Sequence, residues 1–251
     1  MKIKSIILVL ICLLNITNAS SQGSDDSLLT QYHCHFPCWY DLIPGESTFL
    51  DVIQTLPQIE FIFEAKQIRS HTYKSIRYDK TTTTTLRWWY ESVTETSRLH
   101  IDDFYLTEIS IYPNIEFTLQ EILSFYGIPE AILLNSYYEH HMGILFIELL
   151  AYYPQMGLIV MFEVNSDTPE STSIPLDLTL PGTYFSLYKP SDNLEQFITH
   201  ISVYPPDHES TIDRINRLHC WDENIEIQIV SVYESTYFAY IPQNQNCQVV
   251  P

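Results

Sequence analysis

Residues 106–113 read LTEISIYP and residues 198–205 read ITHISVYP, so one eight-residue phrase is written twice with five identical positions. In the first copy Ile109 and Ile111 alternate with Ser110 and Tyr112, the period-two pattern of a half-buried strand. The second copy is read the same way, as a strand over 198–204. Each copy leads into a helix start. Thr118 precedes Leu119, Glu121, Ile122 and Leu123, while Ser210 and Thr211 precede Ile212, Asp213 and Ile215. An earlier segment, Ser47-Thr48-Phe49-Leu50-Asp51-Val52-Ile53, has the same form: a hydroxyl able to accept from a free backbone amide, and an acid reaching back in a capping box. Repetition of this kind describes how a fold is built. The reading is α+β: tandem repeats of a short helix followed by antiparallel strands, with the helices packed on one face of the sheet.

Working outward from the phrase, helices are predicted from Ser47 or Thr48 to about 56, stopped by Pro57, and over 119–126, ended by Gly127 and then Pro129. A third is predicted over 211–220. Strands are expected over 59–63, 81–89, 105–112, 143–153, 158–164, 176–180, 183–188, 225–232 and 237–241. Pro154-Gln155-Met156-Gly157 is a hairpin signal, residues 165–173 read as a polar loop, and the threonine run 81–85 suits a hairpin arm. These elements group into a first unit (34–113), a second (114–205) and a shortened third (206–251).

The N-terminus carries Lys2 and Lys4, an apolar run over 6–14 and then Thr17-Asn18-Ala19, the pattern of a secretory signal peptide cleaved after residue 19. The run is about half the ~20 residues that a membrane-spanning helix needs. Ile11 stands before Cys12 where lipoprotein signals carry a small residue, so a lipid anchor is not expected. Residues 20–33, rich in Ser, Asp and Gln, read as a flexible leader, and no transmembrane span is expected in the mature chain.

The whole chain has 12 basic and 31 acidic residues; losing Lys2 and Lys4 leaves 10 against 31, a net charge of −21. Such a surface repels nucleic acid and anionic lipid. Seven of the ten remaining bases, Lys66, Arg69, Lys74, Arg77, Lys80, Arg87 and Arg98, fall between 66 and 98. Arg69, Lys74, Arg77, Lys80 and Arg87, with Trp88 and Trp89, form a candidate interaction patch; the competing reading is the solvated face of one hairpin. On strands, adjacent aromatics face opposite sides, so one of each pair in Trp88-Trp89-Tyr90, Tyr137-Tyr138 and Tyr152-Tyr153 is expected in the core.

Four cysteines remain after export, Cys34, Cys38, Cys220 and Cys247, and an even count outside the cytoplasm favours disulfides. The preferred pairing is Cys34 with Cys38 and Cys220 with Cys247, because each closes a local loop; pairing across the chain is the alternative. His33-Cys34-His35 with Cys38 is the densest group of metal-ligand types, but oxidised sulfurs do not serve as thiolate ligands. Glu139-His140-His141 reads as a surface turn, and His200 stands where the first copy has Glu108, an exchange that marks a solvent-facing position. No Gly-x-Ser-x-Gly elbow, His-Glu-x-x-His helix, phosphate loop or dinucleotide fingerprint occurs. No catalytic residue, metal or cofactor is therefore assigned.

Pro44-Gly45-Glu46-Ser47-Thr48, with Trp39 upstream and Trp88-Trp89-Tyr90 downstream, resembles the Pro-Gly-x-Thr helix start of small outer-membrane assembly lipoproteins of the SmpA/OmlA type and of β-lactamase-inhibitor-protein-like repeats. Residues 117–129 with the turn at 153–157 resemble uncharacterised exported proteins of filamentous bacteria that carry a Tyr-Gly-x-Pro helix end. The resemblance implies a non-enzymatic module presenting a concave sheet to an extracytoplasmic protein or the envelope. It departs from the pattern in lacking a lipobox and, in the third unit, a glycine-terminated helix. The expected function is an exported, non-catalytic protein-binding module, secreted or at the cell envelope. The alternatives are a carbohydrate-binding module using the aromatic strands and, third, a secreted hydrolase.

Overall fold

Local chemistry shapes the helix ends as the residues suggest. Helix α1 (Phe49–Thr55) begins at Thr48, whose hydroxyl accepts from the Asp51 amide at 3.3 Å while the Asp51 carboxylate accepts from the Thr48 amide at 2.7 Å. Helix α2 (Leu119–Tyr126) repeats the box with Thr118 and Glu121 and ends at Gly127, at φ +81°. Both ends satisfy backbone groups that a helix leaves unpaired. The computed structural model describes residues 28, 34–59, 62, 69–74, 82–88, 97–113, 116–139, 141–166, 173–175, 177–202, 209–222, 225–233 and 236–241. The signal segment 1–19, Arg77, Lys80, Trp89 and Cys247 lie outside these.

Among the described residues there are twelve strands. Nine form one antiparallel sheet, ordered β1 (Arg69–Lys74), β2 (Thr82–Trp88), β3 (Ser97–Asp102), β4 (Tyr105–Ile111), β10 (Pro181–Leu187), β8 (Leu158–Ser166), β7 (Ile144–Tyr153) and β6 (Ala131–Glu139), with β5 (Phe117–Thr118) also pairing β10. A second sheet orders β12 (Thr236–Tyr240), β11 (Glu226–Tyr233) and β9 (Ser173–Pro175). The α+β class is therefore seen, with antiparallel sheet and a few short helices.

Alternation along β6, β7 and β8 sends side chains to two cores. Ile132, Leu134, Leu149, Ala151, Tyr153, Leu158 and Val160 join the larger core, whereas Ala131, Leu133, Tyr152 and Ile159, between them in sequence, join a second one. Val52 of α1 and Leu119, Ile122 and Tyr126 of α2 are in the larger core. Leu194, Phe197 and Ile198 of α3 (Leu194–Ile201) are in the second, with Ile215 of α4 (Glu209–Asn216) packed against it. The expected one-sided arrangement is thus corrected: the helices contribute to opposite faces, because the long strands β6–β8 are apolar on both.

The repeated phrase does not keep one conformation. Its first copy is β4, as read; its second begins as the last turn of α3, not as a strand. The reason lies upstream, where Leu194, Phe197, Ile198 and Ile201 recur at helical spacing and Asn193 caps the start by accepting from the Gln196 amide at 2.9 Å. Residues 59 and 62 are also not strand: Ile62 is helical and both are buried. Residues 178–179 form a turn rather than part of a strand, and the strand nearby is β9 instead. Strands β1, β3, β5 and β6 fall where no strand is expected from the sequence.

The segment 34–48 folds over the larger core. Trp39 stacks on Trp88 with ring centroids 5.3 Å apart, and Phe36 meets Tyr126 edge-on. Leu28, in the segment read as a flexible leader, is corrected to a buried core residue whose carbonyl accepts a hydrogen bond from the Tyr126 hydroxyl. Among the described residues no helix is long and apolar enough to cross a membrane.

Candidate functional site

The polar face of β3, β4 and β10 is where charged groups converge. Register sets the arrangement: Arg98 stands opposite Ser110, Ser110 opposite Ser186, and His100 opposite Glu108. On β3 and β4 the intervening residues, Leu99, Ile101, Ile109 and Ile111, are buried in the larger core, so alternation leaves the polar set on the other face.

Glu108 sits at the centre, its side chain 17% exposed. Its Oε1 accepts from the Ser110 hydroxyl, from Tyr184 at 3.3 Å and from Ser186 at 3.4 Å, and lies 3.8 Å from the Arg98 guanidinium. Its Oε2 lies 4.0 Å from His100 Nε2. Tyr184 also reaches Ser110 at 2.7 Å and receives Arg98 at 3.4 Å, while its ring packs on Tyr112 with centroids 4.7 Å apart. The far nitrogen of His100, Nδ1, is 3.1 Å from the Thr85 hydroxyl on β2.

Burial holds the His100 pKa below the ordinary histidine value; Glu108 opposes this and the positive charges of Arg98 and Arg87 reinforce it. Burial, with the Glu108 charge nearby, raises the Tyr184 and Tyr188 hydroxyls. Burial works against the Arg98 charge, but Tyr184 and Glu108 outweigh it and raise the guanidinium further. The result is one carboxylate serving several donors. Ser110 and Ser186 are buried and point their hydroxyls at Glu108, so their hydrogen-bonding capacity serves the carboxylate. Chemically, the cluster locks the join between β4 and β10 and presents guanidinium groups at its edge, where Arg98 is 40% exposed and Arg87 on β2 is exposed.

The residues singled out in the sequence fall as follows. Cys34 and Cys38 form a disulfide, and Asp41 donates its amide to the Cys34 sulfur at 3.4 Å. These sulfurs and the Asp41 carboxylate lie close together, but bonded sulfurs offer no thiolate to a metal. Cys220 is disulfide-bonded too. In the patch, Arg69 and Lys74 lie on β1 and Arg87 on β2. Trp88 is corrected: at 1% exposure it belongs to the core, stacked on Trp39, and not to a surface patch. Tyr152 and Tyr153 are both buried, on opposite faces, and Tyr137 is exposed with its ring stacked on Phe146. Glu139 accepts from the amides of Met142 and Gly143 in a turn, as expected of that segment.

Sequence reasoning missed His100, Glu108, Tyr184 and Ser186, and treated the position of Glu108 as solvent-facing. The available signal was polar alternation through 97–102 and 106–112; nothing local says which polar residues share a register. No family model matches the chain, and neither a curated protein nor a solved structure does.

Proposed function

We propose that this chain is an exported, non-catalytic protein-binding module acting at the cell envelope or outside the cell, and that it docks through the polar face of β2, β3 and β4. The observation that carries the reading is the pairing of a fixed interior with exposed charge. Glu108 and its donors hold Arg98 in one geometry, and Arg87 beside it faces solvent. A preorganised charged surface loses little side-chain freedom on binding. The hydroxyls around Glu108 are committed to that carboxylate, which supports a structural role for the cluster over an acid–base one. The sugar-binding reading needs free aromatic faces, yet Trp88, Tyr152 and Tyr153 are in the cores and Phe146 covers one face of Tyr137.

The test is in-cell crosslinking of the full chain, followed by mass spectrometry of the product. The expected result is an extracytoplasmic protein joined through residues of β2–β4, together with an exported form beginning after Ala19. Recovery of glycans alone, or crosslinks confined to α3 and α4, would overturn the reading.

A further inference from the structure

Resting on the protein-docking reading, we infer that the β1–β2–β3 edge is a carboxylate clamp, built to take an acidic segment of the partner protein. The inference comes from register. Arg69 stands opposite Arg87 and Arg87 opposite Arg98, so three arginines occupy one row across three adjacent strands, and the row continues as Ser110 and Ser186. Directly opposed residues in antiparallel strands have Cα atoms about 5 Å apart, and like charges there destabilise the pairing.

Of the row, Arg98 has an acid within ion-pair distance, Glu108 at 3.8 Å. Glu108 lies on the Arg98 side and is shared with His100, Tyr184 and two serines. Arg87 makes no ion pair among the described residues, and its positive charge is felt by His100. The chain as a whole has net charge −19, so a row of three arginines runs against its bulk composition. Arg87, exposed and directly opposite Arg98, is therefore the position where an external anion adds a counter-charge.

Guanidinium groups present donors in a planar fork that matches a carboxylate at two points. Arg98 is held in place by Ser110 at its Nε and Tyr184 at one terminal nitrogen, while its side chain stays 40% exposed. Alternate side chains on an extended segment point the same way, about 6.6 Å apart. An acidic stretch with Asp or Glu at alternate positions therefore meets neighbouring arginines of the row with successive carboxylates.

The experiment measures binding of fluorescent poly-L-glutamate to the full chain, with dextran sulfate as the competing anion, for the native protein, Arg87→Gln and Arg87→Glu. An Arg214→Gln variant on α4 serves as the control. The expected result is polyglutamate binding that weakens as salt rises and falls about fivefold or more in Arg87→Gln, with no change in the control. Thermal stability of Arg87→Gln is expected to hold or rise, because the row repels itself; a merely structural arginine would show the opposite. Polyglutamate binding indifferent to Arg87, or binding of dextran sulfate without polyglutamate, would overturn the clamp. If the crosslinked protein partner binds Arg87→Glu as well as it binds the native chain, the docking function stands and the acidic-segment inference falls. If no protein partner is captured at all, both fall.

Discussion

At the scale of single residues, Glu108 decides more than its place in the sequence suggests. It is one acid among 31, yet its carboxylate gathers Ser110, Tyr184, Ser186 and Arg98 from β3, β4 and β10. Removing a partly buried, hydrogen-bonded charge leaves its partners desolvated and unpaired. Glu108→Ala is expected to cost about 2 kcal/mol in urea denaturation, with Glu108→Gln nearer to about 1 because it keeps an acceptor. A loss in the alanine variant no larger than surface substitutions give, about 0.5 kcal/mol, would mean the cluster is ornamental. His100 provides a pH test. Its folded pKa lies below its unfolded value of about 6.5, so as pH falls through that value the unfolded chain takes up protons first. Its contribution to stability is complete above that pH and declines below it until the folded pKa is reached. His100→Gln retains a partner for Thr85 and is expected to flatten the fall in stability between pH 6.5 and lower pH, followed by denaturation at each pH; an unchanged slope would assign the effect to His200 and His219, whose pKa values burial also lowers.

At the scale of elements, the capped helices were legible and the repeated phrase misled. Caps depend on atoms within three or four residues, so Thr48 with Asp51 and Thr118 with Glu121 act as their spacing indicates. The phrase is eight residues of ambiguous preference. In residues 106–113 it follows the tight turn of a hairpin and alternates into β4; in residues 198–205 it inherits a helical stripe from Leu194 and Phe197. Identity over five of eight positions did not outweigh what preceded each copy. That hairpin turn holds a further test. Asp103 and Phe104 both have positive φ, at 47° and 73°, and Phe104 is 78% exposed. The left-handed region costs an ordinary residue about 1 kcal/mol or more, and glycine almost nothing. Phe104→Gly is expected to raise stability by about 1 kcal/mol in thermal denaturation. A loss instead would show that the ring has contacts worth more than its strain.

At the scale of the whole molecule, the larger core draws on residues from Leu28 to Ala239, and the nine-stranded sheet runs through β1–β8 and β10. Strands β4 and β10 meet over three residue pairs, 109–111 with 185–187, with the Glu108 cluster bridging the same join. A shared core and a bridged join predict one cooperative transition, with near- and far-ultraviolet circular dichroism and tryptophan fluorescence coinciding. Separate transitions would show the sheet parting at β4–β10. Arg87 was recognisable from composition as part of a basic cluster, but its row with Arg69 and Arg98 was not, because register is a relation between strands. The sequence by itself determined the α+β class, the two capping boxes, the glycine end of α2 and the 154–157 turn, and favoured the local pairing of Cys34 with Cys38, since each depends on residues near one another in the chain. The helical start of the second copy of the phrase is also local, written in the stripe from Leu194 and Phe197 and the Asn193 cap. Only the tertiary structure decided that helices reach both faces of the sheet and that Glu108 meets Tyr184 and Ser186. Those last partners lie 76 and 78 positions away, and at such distances it is strand register and two-sided burial, not local preference, that choose which groups meet.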